Sequence, residues 1–282
     1  MARMTQRRKV HRFGYGDDGT LIERLREDVL AAEEPLEIRL GHKPFTVTMR
    51  TPGDDFDLVA GFLVSEGVLW RDDQLVSMRF CAGEDEDGRQ TYNVVEAALG
   101  AGAVLPDTSM ERHVYTSSSC GICGTASIDA VRKSSRFDVA EDAVQLPLRL
   151  LLQLPEKLRE AQAVFDRTGG VHAAALFRVA GDDVELLCVR EDVGRHNAVD
   201  KVVGWALRNK MLPLEGTVLQ VSGRASFELV QKAAMAGIPV LSAVSAPSSL
   251  AVELAQTAGL TLAGFSRGTS LNVYSHPHRV LR

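Results

Sequence analysis

The chain has 282 residues, of which 45% are hydrophobic and 24% are charged, the composition of an ordinary globular protein with a buried core. Its formal net charge of −5 argues against a dedicated binder of nucleic acid or of an anionic membrane, and no apolar run is long enough for membrane insertion. Only four cysteines occur, which argues against a secreted disulfide scaffold and indicates a reducing, cytoplasmic location.

The N-terminal half mixes strand and helix patterns. Its first residues, MARMTQRRKVHRF, are basic and lack the apolar stretch of a secretory signal, so we expect a flexible basic tail over residues 1–18. The segments LEIRLG and FTVTMR alternate apolar and polar residues around a Gly-His-Lys-Pro linker, which predicts a hairpin. The stretch DDFDLVAGFLVSEGV begins with acids and has one apolar face, which predicts a helix. Together these patterns predict an α+β domain over residues 19–140.

A C-x-x-C pair interrupts this pattern. The segment SSSCGICGT contains Cys120 and Cys123, and its serines and glycines disfavour regular structure. We therefore place both cysteines on a loop of the N-terminal domain.

The C-terminal half alternates more regularly. PEKLREAQAVFDRTGG predicts a helix that opens at Pro155 and closes at Gly169, and two strands, VHAAALFRV and VELLCVR, follow it. NAVDKVVGWALRNK predicts a helix in which Asn197 and Asp200 form a capping box. Short apolar strands then alternate with amphipathic helices, as in a largely parallel sheet covered by helices. The pattern predicts an α/β domain over residues 141–282.

Three of these late strands end in segments rich in serine: Ser222–Ser226, Ser245–Ser249 and Ser266–Ser270. In a parallel sheet they meet at the carboxyl edge, where open α/β proteins bind ligands. Each segment alone is typical of a helix cap or a turn. Together, and with Arg224 and Arg267 among them, they indicate a phosphate-rich ligand such as a nucleotide.

A fourth segment, Arg190–Asn197, also stands between a strand and a helix and is densely charged. Two interpretations stay open for it. It forms a salt-bridged structural knot, or it lines the same ligand site, because clusters of perturbed charges serve both purposes.

The sequence allows several interpretations of the chemistry of the cysteine pair. A structural zinc site needs four ligands, and the other cysteines and histidines are scattered along the chain. A haem attachment site is excluded because Gly124 stands where the C-x-x-C-H motif has its histidine. A zinc deaminase needs glutamate where Ala174 follows His172 by two positions. A thiolate on an exposed loop instead suits a carrier that meets two partners in turn.

These motifs jointly resemble the formate dehydrogenase accessory sulfurtransferase (FdhD) family. The matching segments run from RTPGDDFDLVAGFLVSEGV through SSSCGICGTASID, TGGVHAAAL and REDVGRHNAVDKVVG to SGRASFELVQKAAMAGIPVLSAVSAPSSLAVELA and GFSRGTSLNVYSHP. The resemblance implies a C-terminal domain of the cytidine-deaminase-like, three-layer α/β/α type, and a homodimer.

The resemblance also implies a function. A member of this family takes sulfur as a persulfide from a cysteine desulfurase. It transfers the sulfur to the molybdenum (or tungsten) bis(molybdopterin guanine dinucleotide) cofactor before insertion into the formate dehydrogenase catalytic subunit. The persulfide position falls on Cys120, with Cys123 as its partner. The cofactor-binding segment, for which a guanine nucleotide is a mimic, falls on Phe265, Ser266, Arg267, Gly268, Thr269 and Ser270. A dithiol–disulfide oxidoreductase and a zinc-stabilised binding module remain as alternatives.

Overall fold

A computed structural model describes residues 3–81, 83, 91–105 and 134–282. Cys120 and Cys123 therefore lie outside the described residues. The division of the chain near residue 140 falls within the described part but is not tested by it, and stays a prediction.

The chain begins with a two-stranded antiparallel ribbon, β1 (Thr5–Tyr15) and β2 (Leu21–Ala31). This corrects the prediction of a flexible tail over residues 1–18. The basic composition of β1 does not reveal the strand, because the acidic residues that pair with it lie on β2. Arg7 and Glu27, for example, form an ion pair of 3.0 Å across the ribbon.

A four-stranded sheet follows, with the order β4-β3-β6-β5. Its strands are β3 (Glu34–Leu40), β4 (Lys43–Arg50), β5 (Leu75–Phe80) and β6 (Val94–Leu99). The predicted β3–β4 hairpin is confirmed, and its turn contains Gly41 at φ 58°, a left-handed conformation that favours glycine. The predicted helix is also confirmed, as α1 (Asp55–Ser65).

The six-stranded sheet of the C-terminal half has the order β13-β12-β11-β10-β8-β9. Its strands are β8 (His172–Ala180), β9 (Asp183–Asp192), β10 (Thr217–Val221), β11 (Val240–Ala243), β12 (Thr261–Arg267) and β13 (Ser270–Ser275). Strands β10, β11 and β12 run parallel to one another, whereas the β8–β10, β8–β9 and β12–β13 pairs are antiparallel. The predicted α/β fold is confirmed, and its largely parallel sheet is a mixed sheet with a parallel centre of three strands.

Helices cover both faces of this sheet, as the sequence predicts. The helices are α2 (Leu148–Glu160), α3 (Ala163–Thr168), α4 (Arg195–Arg208), α5 (Phe227–Met235) and α6 (Ser249–Ala258). Apolar side chains of α4, α5 and α6 share one buried cluster with one face of the sheet, and those of α2 share a second cluster with the opposite face. Strands β7 (Leu146–Pro147) and β14 (Val280–Leu281) form a separate parallel pair. Short 3₁₀ turns are Asp72–Gln74, Val139–Glu141 and Pro277–Arg279.

Helix α1 is packed closely against α4. A Cβ on Gly61 would lie 1.8 Å from the backbone oxygen of Asp200, and a Cβ on Gly204 would lie 1.8 Å from that of Asp57. Glycine at both positions therefore permits the backbones to touch. Through this contact the larger buried cluster continues from the four-stranded sheet to the six-stranded one.

Two predicted helix starts are wrong. Helix α2 begins at Leu148, so Pro155 lies inside it rather than opening it, while Gly169 does cap the following helix α3 at φ 64°. Helix α4 begins at Arg195 with Gly194 as its cap, so no capping box forms at Asn197. In both cases residues before the predicted start already pack on the core, and packing overrides the local signal.

No helix in the described ranges combines the length and apolarity needed to cross a membrane.

Candidate functional site

The three serine-rich segments meet at the carboxyl ends of β10, β11 and β12, as predicted. We call Ser222–Ser226, Ser245–Ser249 and Phe265–Ser270 the strand-end loops. Backbone hydrogen bonds continue the sheet into them: the N–H of Ser245 donates to the oxygen of Gly223 at 3.4 Å, and the N–H of Phe265 donates to the oxygen of Ser245 at 3.1 Å. The loops therefore form one continuous surface at one edge of the sheet.

Glycine allows two of these close contacts. A Cβ on Gly264 would lie 2.9 Å from Pro247 Cδ and 3.2 Å from the Ser245 oxygen. A Cβ on Gly223 would lie 3.4 Å from Nδ1 of His172 and 3.9 Å from Cδ of Arg195. Bare backbone is thus presented to the imidazole and the arginine, as it is in sites where a ligand approaches the main chain.

The predicted cofactor segment spans the end of β12, the turn at Gly268 and Thr269, and the first residue of β13. Phe265 has φ 52° and a side chain that is 39% exposed. Ser266 is fully buried, and its hydroxyl has no hydrogen-bond partner among the described residues. The other four residues of the segment are exposed: Arg267, Gly268, Thr269 and Ser270. The structure therefore brings the whole segment to the strand-end loops, and it separates five accessible residues from one buried hydroxyl.

Two of the serines have ordinary structural roles. The Ser248 hydroxyl accepts the N–H of Ala251 at 3.2 Å and so caps α6. The Ser222 hydroxyl accepts the N–H of Ala173 at 2.9 Å, which joins β8 to the first loop. These two side chains are occupied, so an incoming ligand depends on the remaining hydroxyls, backbone N–H groups and arginines.

A group of basic side chains lies beside the first loop. Arg195 begins α4, and its buried Nε has no partner among the described residues. His172 begins β8, and burial lowers its pKa, with further lowering by the nearby charges of Arg195 and His196 and a smaller opposing effect of Asp192. The depressed pKa favours the neutral imidazole, and the buried Nε of Arg195 is a hydrogen-bond donor that no described residue satisfies.

The next basic residue, His196, is held by two partners at the start of α5. Its Nε2 lies 3.2 Å from the Ser226 hydroxyl and 3.4 Å from Oε2 of Glu228. Burial raises the pKa of Glu228, but hydrogen bonds from His196, Ser226 and its own backbone N–H outweigh burial and lower the pKa to about 2. Glu228 is therefore ionised at neutral pH and fixes the imidazole in place.

The two interpretations of Arg190–Asn197 apply to different residues: one part forms a salt-bridged knot, and another part lies beside the strand-end loops. Arg190 pairs with Asp57 at 2.7 Å, and Asp192 pairs with the fully buried Lys201 at 2.8 Å, so these residues form the structural knot. Arg195 and His196, in contrast, face the strand-end loops. The segment thus joins the two sheets and supplies two side chains to the candidate site.

The knot connects the N-terminal sheet to the start of α4. The Asp192 carboxylate accepts the N–H of Thr51 at 3.1 Å and an amide N–H of Asn197 at 3.0 Å. The same Asn197 amide donates to the Met49 oxygen at 2.7 Å, and Lys201 Nζ donates to the Thr51 oxygen at 2.9 Å. The end of β4 is therefore fastened to the element that carries Arg195.

Of the two described cysteines, neither belongs to this site. Cys188 is buried in β9, and burial raises its pKa to about 12, with Asp57 and Asp54 adding to the rise and Arg190 opposing it. Its thiol stays protonated at neutral pH and is a poor nucleophile. Cys81 is half-buried, 3.8 Å from a carboxylate oxygen of Glu96. Among the described residues no group of three His, Cys, Asp or Glu side chains could hold a metal ion.

The arrangement can bind an anionic ligand. Arg224 and Arg267 are exposed and have no ion pair with another described residue, and the helices α5 and α6 begin at the loops. Helix N-termini, guanidinium groups and hydroxyls are the groups that bind phosphate. The site residue that sequence reasoning missed is Glu228, whose pairing with His196 spans 32 positions and leaves no local signal.

Known proteins match this chain along nearly its whole length. The family model described as the FdhD/NarQ family matches residues 31–281. The sulfur carrier protein FdhD of Streptomyces avermitilis is 61% identical over 281 residues, 99% of this chain and 97% of that protein. The protein of the same name from Sulfolobus acidocaldarius is 42% identical over 254 residues, 90% of this chain and 92% of that protein.

A solved structure supports the fold. The crystal structure of a protein from Desulfotalea psychrophila, assigned as a formate dehydrogenase accessory protein, has a TM-score of 0.70, with 22% sequence identity, over 99% of this chain and 100% of that chain. The family match extends over nearly the whole chain, and the fold is shared end to end. This chain belongs to the FdhD/NarQ family.

Proposed function

We propose that this protein is a sulfur carrier that serves formate dehydrogenase. The support is the name of relatives that match it along nearly their entire length, sulfur carrier protein FdhD. A formate dehydrogenase accessory role is supported by the similar fold of the protein from Desulfotalea psychrophila. A cysteine desulfurase, the formate dehydrogenase catalytic subunit and a second copy of the chain are the partners in this proposal.

In this proposal Cys120 carries the sulfur as a persulfide and Cys123 assists it. The thiolate attacks the sulfur that the desulfurase holds as its own persulfide, and the desulfurase thiolate leaves. Cys188 is unsuited to this role because burial keeps its thiol protonated. Cys120 and Cys123 form the C-x-x-C pair of the sequence and are the candidates for the persulfide site. Both residues lie outside the described part.

The acceptor in this proposal is the molybdenum bis(molybdopterin guanine dinucleotide) cofactor. In the transfer step the Cys123 thiolate attacks the inner sulfur of the Cys120 persulfide, so a Cys120–Cys123 disulfide forms and the outer sulfur leaves as sulfide for the metal. The observation that carries the proposal is the convergence of the strand-end loops with the unpartnered Nε of Arg195 and the bare backbone of Gly223. These groups fit a diphosphate, since they supply charge, N–H donors and room for close approach.

Each side chain has a distinct task. Arg224 and Arg267 are accessible and neutralise phosphate charge, while Phe265 presents an exposed ring at φ 52° for packing against a planar group. His172, held neutral, is able to take up a proton when an anion arrives beside it. Glu228 and Ser226 keep His196 oriented at the start of α5.

Guanosine diphosphate titrated by calorimetry tests this binding site. Arg267→Ala should weaken the affinity about tenfold, because a charge-assisted contact is lost. The matched control is Arg149→Ala, which removes an exposed arginine that pairs with Asp182 away from the loops. Sulfur loading should be unchanged in both variants. An Arg267→Ala variant with unaltered nucleotide affinity would show that Phe265–Ser270 is only a turn.

A further inference from the structure

A cavity of about 530 Å³ opens where α1 and α5 end, at the opposite end of α5 from the strand-end loops. Nine residues of α5 separate the two places, a helix length of about 13 Å. The residues that line the cavity are Gly67, Leu69, Trp70, Ser134, Ser135, Arg136 and Met235. Its volume falls in the range of pockets that hold small ligands.

Arg136 is the feature that gives this cavity chemical character. Its guanidinium carbon lies 3.9 Å from the ring centroid of Trp70, so the planar cation is stacked on the indole. Arg136 is exposed and has neither a hydrogen bond nor an ion pair with another described residue. This contact uses the face of the guanidinium, and its N–H edges have no partner among the described residues, so they can pair with a carboxylate.

Among the other described lining residues, apolar side chains and one hydrogen-bonded hydroxyl accompany the exposed Ser134. Leu69 and Met235 are buried hydrophobic residues. The Ser135 hydroxyl donates to the oxygen of Ala234 at 2.8 Å and accepts the N–H of Phe137 at 3.0 Å. The described lining of the cavity therefore offers one cation, Arg136, beside an apolar wall.

We propose that this cavity binds an organic carboxylate with an apolar body. The carboxylate pairs with the free N–H edges of Arg136, and the apolar body packs against Leu69, Met235 and the indole of Trp70. Two sources supply this chemistry, a free acid or the carboxyl-terminal residue of a polypeptide. The site is separate from the strand-end loops, so it goes beyond sulfur transfer and nucleotide binding.

Its position links the cavity to the cysteine segment. The N–H of Val104 donates to the oxygen of Val68 at 3.1 Å, and Ser135 is fixed to the end of α5. The described residues that flank positions 106–133, a range that includes Cys120 and Cys123, therefore lie near the cavity.

The test is a ligand-observed NMR titration of the full chain with N-acetyl-L-leucine, and with N-acetyl-L-leucinamide as the neutral match. We expect saturable binding of the acid and at least tenfold weaker binding of the amide, because the amide loses the charge-assisted contact. Arg136→Gln should remove this preference for the acid. Arg149→Gln, which changes an exposed arginine elsewhere, should keep it.

A second titration distinguishes the two sources. It uses a pentapeptide that ends in leucine, once with a free carboxyl end and once with an amidated one. A peptide acid that binds at least tenfold more tightly than N-acetyl-L-leucine identifies a polypeptide as the source, and similar affinities identify a free acid. The absence of saturable binding by either carboxylate would overturn the proposal. So would an Arg136→Gln variant that still prefers acid to amide.

Discussion

The side chain of Glu228 shows how a half-buried carboxylate is kept charged beside the candidate site. Its pKa in the folded protein, about 2, lies below the ordinary value of 4.5. A lowered carboxyl pKa stabilises the fold above the ordinary value, and the contribution is lost as the pH falls from 4.5 toward 2. The pH dependence of stability therefore reports the contact with His196.

We expect Glu228→Gln to lower the free energy of unfolding by about 2 to 3 kcal/mol at pH 7. Urea denaturation at pH 7, 5, 4 and 3 measures the difference from the wild-type chain, which should shrink through the two most acidic points. A difference in stability that stays constant with pH would show that the charge of the Glu228 carboxylate does not stabilise the fold.

His172 gives a second prediction, for ligand binding. Its pKa is lowered by burial and by neighbouring positive charge, and a bound diphosphate would offset that charge. We expect guanosine diphosphate to raise the pKa of His172, followed through the ring resonances in an NMR titration. The exposed His278 serves as the reference resonance, because it follows β13 at the edge of the sheet opposite the strand-end loops. If the pKa of His172 is the same with and without the nucleotide, the phosphates bind elsewhere.

Residue-level prediction from the sequence succeeded where the signal was local. Ser245 and Arg267 each follow a short apolar strand, so their meeting at one edge follows from sheet topology. The contact of His196 with Glu228 could not be predicted, because it depends on how α4 lies beside α5. The sequence also could not show which residues of Arg190–Asn197 form the salt-bridged knot and which lie beside the strand-end loops, because spacing alone does not say which charges are buried.

At the scale of elements, the contact of α1 with α4 determines how the two sheets are joined. Gly61→Ala would place a methyl group 1.8 Å from a backbone oxygen of Asp200, so the helices must separate. We expect a loss of about 3 kcal/mol or more in the free energy of unfolding, measured by urea denaturation. Gly14→Ala is the control, because a Cβ there meets nothing within 4 Å. Equal stability of the two variants would contradict the packing.

Element boundaries followed the core rather than local signals. Pro155 is a strong start signal, yet Leu150, Leu151 and Leu154 are buried against the sheet and extend α2 ahead of it. The ribbon of β1 and β2 escaped prediction because both strands are largely exposed and rich in charged residues, so they lack the alternation of apolar and polar residues that marks a strand. In contrast, the β3–β4 hairpin was predictable from alternation around a glycine turn.

At the scale of the whole molecule, the strand-end loops and the Arg136 cavity occupy opposite ends of α5. Cys120 lies 14 residues before Ser134 in the sequence. An extended chain spans at most about 3.6 Å per residue, so this length reaches about 50 Å at most. Chain length alone therefore permits one cysteine to serve a donor and an acceptor at different places on the protein. The three-layer α/β architecture was predictable from alternating patterns, whereas the relative position of these sites was not.

The central claim is that Cys120 carries sulfur as a persulfide. The most direct measurement is the intact mass of the protein after incubation with a cysteine desulfurase and cysteine. We predict a gain of one sulfur atom in the wild-type chain and in the Cys81→Ser/Cys188→Ala variant, and no gain in Cys120→Ala. Loss of two hydrogen atoms without added sulfur would instead indicate a dithiol–disulfide oxidoreductase, and full loading of Cys120→Ala would contradict the assignment.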